Sequence, residues 1–242
     1  MRLHVTGATG YLGSELVRLR PDASTERVEI RDAAAVQALF ERVRPGVVVH
    51  TAYRQDDDAV NTDGSENVAR AAAAVGARLV HLSTDVVFDG RKGTPYLEHD
   101  PVSPVTDYGR AKAEAERRVA VAHPGAVLVR TSLLYGGPKP SKHELTAHDP
   151  EFTFFTNEIR SPVHVTDLAQ AVLELAALDV RGPLHLAGPD DLSRAELAEL
   201  IRRGPVRSAF APETRPLDCS LDSSRARALL RTRLHGAREV LR

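Results

Sequence analysis

A single cysteine, Cys219, in 242 residues excludes an internal disulfide framework and suits a reducing compartment. No segment approaches the ~20 apolar residues of a membrane span. The chain opens Met-Arg-Leu-His-Val, directly into a strand pattern rather than the apolar stretch of a signal peptide, so a cytoplasmic location is expected. The formal net charge is only −1 and no basic stretch is concentrated anywhere, which removes the electrostatic footprint of a nucleic-acid or acidic-membrane partner. A small molecule is the partner such a balance leaves. Ten histidines are scattered without ligand spacing, so no metal is expected. Lysine is scarce as well: of 32 basic residues only Lys92, Lys112, Lys139 and Lys142 are lysines, so a lysine within a motif stands against a strong preference for arginine.

What is present is enough apolar residue, 42%, for one globular unit with a real core. The first half alternates strand-like and helix-like runs. Strands are expected at Arg2–Thr6, Arg27–Ile30, Val47–His50, Arg78–Ser83 and Ala126–Thr131, with helices at Leu12–Leu19, Ala33–Val43, about Val60–Val75 and about Tyr108–Ala122. This is the pattern of a parallel sheet covered on both faces and wound to both sides of its first strand. Gly136–His148 has no clear period and is expected to be a loop opening the substrate side. Beyond it come a helix over Thr166–Leu178, a short strand over Pro183–Ala187 and a helix from the capping-box spacing Ser193-x-x-Glu196 to about Arg203. Leu221–Leu230 reads as one more helical turn region. No repeat is visible.

Three local patterns carry chemistry. Thr6-Gly7-Ala8-Thr9-Gly10-Tyr11-Leu12-Gly13 follows an apolar strand and opens a helix, so glycines 7, 10 and 13 allow a tight turn, close approach of backbone to a phosphate, and packing of helix on strand. The spacing is Gly-x-x-Gly-x-x-Gly, and glycines in a turn can equally be plain turn chemistry. Tyr108-Gly109-Arg110-Ala111-Lys112 puts a phenol and an ammonium four apart, on one helix face. A nearby ammonium is expected to lower the tyrosine pKa, making the pair able to give a proton to a carbonyl oxygen and take one back. Ser83-Thr84-Asp85 ends a strand at the carboxyl edge, where open α/β sheets place ligands, and a hydroxyl there can bond a substrate carbonyl.

Together these patterns resemble the extended short-chain dehydrogenases/reductases, and within them the dTDP-4-dehydrorhamnose reductase family. The likeness runs through Thr6–Gly13, Arg78–Gly90, Tyr108–Glu116, Val129–Gly136 and Pro162–Ala169. It implies an α/β fold of Rossmann type, a doubly wound parallel sheet with a small C-terminal substrate-binding lobe. The nucleotide-binding part would span residues 1–136, with 160–187 folding back onto it, and 137–159 with 188–242 would form the lobe. It also implies reduction of the 4-keto group of a nucleotide-activated deoxysugar by NADPH or NADH, with NADPH slightly favoured, in a chain that forms a homodimer. Thr84, Tyr108 and Lys112 would be the catalytic set, with Tyr108 the proton donor and Lys112 holding the nicotinamide ribose and tuning Tyr108. Cofactor contacts would fall on Gly7, Thr9, Gly10, Tyr11, Leu12 and Gly13, on Arg31 and Asp32 for adenosine, on Thr51, Ala52 and Tyr53, and on Ser83 and Lys112. The substrate would meet Thr84, Asp85, Val86 and Leu133, with Arg160 as a diphosphate contact.

The chain departs from the family's pattern at Val86, where a tyrosine is usual, and at Leu133, where a tryptophan is usual. Asn157-Glu158-Ile159-Arg160-Ser161-Pro162 replaces the usual Asp-Gln-x-Gly-x-Pro, in a loop shorter than expected. These changes fall on the substrate side and leave open a changed sugar or lost activity. Sugar-nucleotide dehydratases carry Thr-Asp-Glu where this chain has Thr84-Asp85-Val86, so the acid/base for elimination is missing. An epimerase, which retains its cofactor, and a non-catalytic cofactor-binding subunit like the regulatory subunit of methionine adenosyltransferase are the alternatives.

Overall fold

A computed structural model describes residues 2–242. In chain order the elements of the first half are β1 (Leu3–Thr6), α1 (Tyr11–Leu19), α2 (Ala33–Val43), β2 (Val47–His50), α3 (Asp58–Asn61), α4 (Asp63–Ala74), β3 (Arg78–Thr84), α5 (Asp107–Ala122) and β4 (Val127–Thr131). The second half contributes β5 (Leu134–Tyr135), α6 (Lys142–Ala147), β6 (Phe154–Phe155), β7 (Ile159–Arg160), β8 (Val163–His164), α7 (Val165–Leu175), β9 (Gly182–His185), β10 (Leu192–Ser193), α8 (Arg194–Arg202), β11 (Ser208–Ala209), α9 (Ser224–Leu229) and α10 (Ala237–Val240).

The main sheet runs β1-β2-β3-β4-β9, every pair parallel. Side chains alternate across such a sheet, so Val47 and Val49 face one layer and Val48 the other. On the first face Leu12 and Leu16 of α1 and Leu168, Val172 and Leu175 of α7 cover Val5, Val80 and Val129. On the second, Val36, Leu39 and Phe40 of α2 and Val68, Ala69 and Ala72 of α4 cover Val48, Leu79 and Leu128. Apolar runs such as Val47-Val48-Val49 are the signature of strands buried on both faces.

Two expectations need correction. Arg27–Ile30 is not a strand. The chain touches the outer edge of β1 only at Ser24, whose carbonyl accepts from Val5 N at 2.9 Å and whose N–H donates to Leu3 O at 2.8 Å. It then leaves the edge, because Ile30 turns inward against Gly64 of α4 and Glu29 pairs with Arg31. The winding past β1 is therefore reduced to one bridge. Gly136–His148 is not wholly a loop either: Ser141 Oγ accepts from Glu144 N at 3.1 Å and Glu144 Oε2 accepts from Ser141 N at 2.8 Å, a capping box that starts α6. The same device at Ser193 and Glu196 starts α8 where expected. Among the described residues no helix is long and apolar enough to cross a membrane.

Candidate active site

Strands β1 to β4 all end on one edge of the sheet, and the register pairs Thr6 with His50 and Thr84 with Thr131, so the loops after them meet there. Two clefts of about 500 Å³ each open on this edge. Both are lined by Gly10, Thr51 and Tyr53. One lies over the glycine turn and reaches Glu29 and Arg31; the other runs past Thr84, Tyr108 and Lys112 to Arg160 and Arg194.

The three glycines of the turn do different things. Gly7 adopts φ 68°, and a Cβ there would stand 2.7 Å from Ala52 N; at Gly13 it would stand 2.1 Å from Gly7 O. Both are closed against backbone, so only glycine fits. A Cβ on Gly10 would meet only Gly7 O, at 3.2 Å, and so would project toward the clefts. Gly10 is also the N-cap of α1, with no side chain bonding the helix's first N–H groups, which leaves them free for an anion. This is a cradle a nucleotide pyrophosphate fits. Thr9 is exposed beside it. Leu12 is buried in the core beneath. Tyr11 lines the second cavity: its hydroxyl accepts from Gly137 N at 2.9 Å and donates to Glu144 Oε2 at 3.3 Å, and burial pushes its pKa up to about 12.

At the far end of the cleft over the glycine turn, Arg31 lines the wall in a two-bond pair with Glu29, which holds that carboxyl down at about 2. Asp32 is the N-cap of α2, its carboxylate accepting from Ala35 N at 3.0 Å, and it does not line the cleft. After β2, Thr51 Oγ1 donates to Thr6 O at 2.7 Å, Ala52 backs Gly7, and the half-exposed Tyr53 ring stands 6.0 Å from that of Tyr108.

Thr106 caps α5, its hydroxyl accepting from Gly109 N at 3.0 Å, which puts Tyr108 in the first turn and Lys112 one turn further. A Cβ on Gly109 would fall 2.3 Å from Val86 O. Only glycine lets α5 approach so closely the turn after β3, which is how Tyr108 comes beside Thr84. The buried Lys112 Nζ donates to Leu82 O at 2.6 Å, and burial lowers its pKa to about 8, opposed by the charge of Glu116. The expected lowering of the Tyr108 pKa is not what the site produces. Burial, then the neighbouring Tyr53 and Asp85, push that phenol above its ordinary value.

Thr84 Oγ1 accepts from Val86 N at 3.3 Å and donates to Asp85 Oδ1 at 3.1 Å. Ser132, which sequence reasoning missed although it directly follows β4, donates to Asp85 Oδ2 at 2.6 Å. Ser83 lines the cavity, but its hydroxyl donates to the buried carboxylate of Glu116, itself paired with Arg130 at 2.8 Å; both partners are about 5% exposed. Arg160 is likewise engaged: its guanidinium donates to the carbonyls of Ile159, Pro216 and Leu217 and lies 3.7 Å from Asp85 Oδ2. Val86 and Leu133 line the same cavity, on its apolar side.

The sequence matches the model for the RmlD substrate binding domain over residues 1–238. The chain belongs to that family. The dTDP-4-dehydrorhamnose reductase of Sinorhizobium fredii is 34% identical over 228 residues, covering 83% of this chain and 77% of that one. Methionine adenosyltransferase 2 subunit beta of Pongo abelii is 31% identical over 272 residues, covering 90% and 80%. Among solved structures, dTDP-4-dehydrorhamnose reductase from Bacillus anthracis in complex with NADP superposes with a TM-score of 0.88 at 26% identity, covering 99% of this chain and 96% of that one. The chain is thus an α/β protein with the parallel central sheet of these reductases, and its family includes both a named reductase and a named subunit of another enzyme.

Proposed function

We propose that the protein reduces the 4-keto group of a nucleotide-activated deoxysugar, using NADPH. The observation that carries this reading is the convergence of Tyr108, Lys112 and Thr84 on one cavity that shares Gly10, Thr51 and Tyr53 with the cleft over the glycine turn. The kinship to dTDP-4-dehydrorhamnose reductases supports it. The nicotinamide cofactor, when bound, supplies the hydride. Gly10 and the free N–H groups of α1 would receive its pyrophosphate, and Lys112 its nicotinamide ribose. With Asp32 engaged as a helix cap, Glu29 and Arg31 are the charged pair lining that cleft; Glu29 suits a ribose 2′-hydroxyl and Arg31, if it leaves Glu29, a 2′-phosphate, and we favour NADPH from the kinship to an NADP-bound reductase.

The proton comes from Tyr108. A phenol held above its ordinary pKa is fully protonated at neutral pH, the form an acid needs. Lys112, one turn further along the helix, would be the cation that offsets the tyrosinate left behind. Thr84 can exchange its long bond to Asp85 for the substrate oxygen, adding a hydrogen bond where charge develops. Residues 137–159 with 188–242 would form the lobe that holds the sugar nucleotide, except that Ala226, Leu230 and Leu234 pack back into the core of the main sheet, and Val86 and Leu133 would face the sugar. The lone thiol, Cys219, is buried and suits the reducing cytoplasm, where we expect the reaction.

Kinship to the methionine adenosyltransferase subunit favours a second reading, a cofactor-binding regulatory chain. The two are separated by loss of nicotinamide absorbance with a dTDP-4-keto sugar. Steady consumption of NADPH supports the reductase. Cofactor binding with no turnover on any keto-sugar, together with a stable protein partner, supports the subunit.

A further inference from the structure

The cavity carries an imbalance of charge that the reaction itself does not use. Asp85 is matched by Arg160, and Glu158 by Arg215. Lys112 is bonded to Leu82 O beside the catalytic tyrosine. Two cations remain. Arg194, the first residue of α8, is fixed by its own N–H donating to Glu158 O at 2.9 Å, yet among the described residues its guanidinium has neither an ion-pair partner nor a hydrogen bond. Among the described residues the ammonium of Lys142, the first residue of α6, has one hydrogen-bond partner, Gln55 Oε1 at 3.3 Å. The helices α6 and α8 pack through Ala147, Ala195 and Ala198, so both cations enter the same end of the cavity, with His143 between their charges.

We propose that Arg194 and Lys142 clamp the diphosphate of the nucleotide-sugar, two unpaired positive charges matching the two negative charges of a diphosphate diester. The assignment rests on the reductase reading and deepens it. It also moves the diphosphate away from Arg160, whose donors are already engaged by carbonyls and by Asp85. Lys142 is exposed at the cavity mouth and Arg194 half-buried, and both feel partial desolvation and like charge: desolvation and the charge of Arg194 lower the pKa of Lys142, and desolvation with the charge of Arg160 lowers that of Arg194 against the opposing charges of Glu158 and Asp85. The same surroundings hold His143 neutral at about 3, so its ring offers one N–H donor to a phosphate oxygen and no charge. An arginine fork suits two phosphate oxygens at once, whereas a lysine acts as a point charge.

Calorimetric titration of the NADP-loaded protein with dTDP, thymidine and inorganic pyrophosphate tests the clamp. Arg194→Gln and Lys142→Gln should each weaken dTDP roughly tenfold or more, since each removes a charge-assisted bond. Thymidine and NADP affinities should not change. Arg194→Lys should recover part of the loss, and melting temperatures near wild type show that the variants fold. Affinity for dTDP within twofold of wild type in Arg194→Gln overturns the proposal. If wild type binds pyrophosphate in an Arg194-dependent way but gains nothing from the nucleoside, the anion clamp stands and the nucleotide-sugar reading falls. If wild type binds neither dTDP nor pyrophosphate, the clamp is overturned.

Discussion

Replacing Lys112 by methionine should make the protein more stable and inactive together. Lys112 is only 3% exposed, and burial lowers its pKa from 10.5 to about 8. Keeping that charge inside costs about 3 kcal/mol of stability at neutral pH. Methionine removes that penalty with a side chain of similar length. It also deletes the bond from Nζ to Leu82 O, which returns about 1 kcal/mol of the gain. The net is roughly 2 kcal/mol, and in a chain of this size each kcal/mol moves Tm by about 2–4 °C, so the melt should rise by roughly 4–8 °C. The pH dependence has a fixed sign. A lysine whose pKa is lower in the folded chain loses its proton first there, so wild type regains stability as pH climbs from about 8 past the unfolded value near 10.5. The gap between variant and wild type should therefore be full at pH 7, close near pH ~10 and turn slightly against the variant above that, by up to about 1 kcal/mol for the lost bond. Thermal melts followed by circular dichroism at the two pH values, with loss of NADPH absorbance on a dTDP-4-keto sugar at pH 7, read both halves. A variant that melts below wild type at pH 7, or a gap independent of pH, would refute the reasoning.

The glycine turn should separate binding from folding. Gly10→Val should leave the melt close to wild type and abolish NADPH binding, because the new side chain stands where the pyrophosphate must lie, whereas Gly13→Ala should lower Tm by driving a Cβ against Gly7 O. Melts and fluorescence titration on both variants check the contrast, and equal cofactor affinity in a folded Gly10→Val would remove the turn from the site. Glu116→Leu should cost about 3–5 kcal/mol in urea unfolding by leaving Arg130 charged and unpaired in the core. Adding Arg130→Met should restore most of it; a double variant no better than the single would mean the pair is not what Glu116 supplies.

Elements with a strong period or an end signal were legible in the sequence: α2 from Val36, Leu39 and Phe40, and α8 from Ser193 and Glu196, whereas Asp32, which the resemblance assigns to an adenosine contact, is the cap of α2. Arg27–Ile30 has the composition of a strand, but a strand needs a neighbour along its length, and here the chain is drawn off the edge by Ile30 packing on Gly64. Helix α6 was hidden by Gly136, Pro138 and Pro140 just before it, although Ser141-x-x-Glu144 carried the same cap signal as Ser193-x-x-Glu196. The candidate catalytic residues were visible because their spacing lies within one helix and at one strand end. What each side chain meets was not. The turn of Ser83 to Glu116, the engagement of Arg160 by carbonyls 56 and 57 residues away, and the freedom of Arg194 depend on pairings between distant segments. Even the sign of the Tyr108 shift reversed, since adjacency to Lys112 is local while burial is a property of the whole fold.

The central claim is that Tyr108 delivers the proton to a keto oxygen. Single-turnover reduction of a dTDP-4-keto sugar, followed by loss of NADPH absorbance at neutral pH, compares wild type with Tyr108→Phe directly. Removing one hydroxyl should leave the fold and NADPH affinity intact and slow the step by roughly 10²–10⁴. Equal rates in the two proteins would contradict the account.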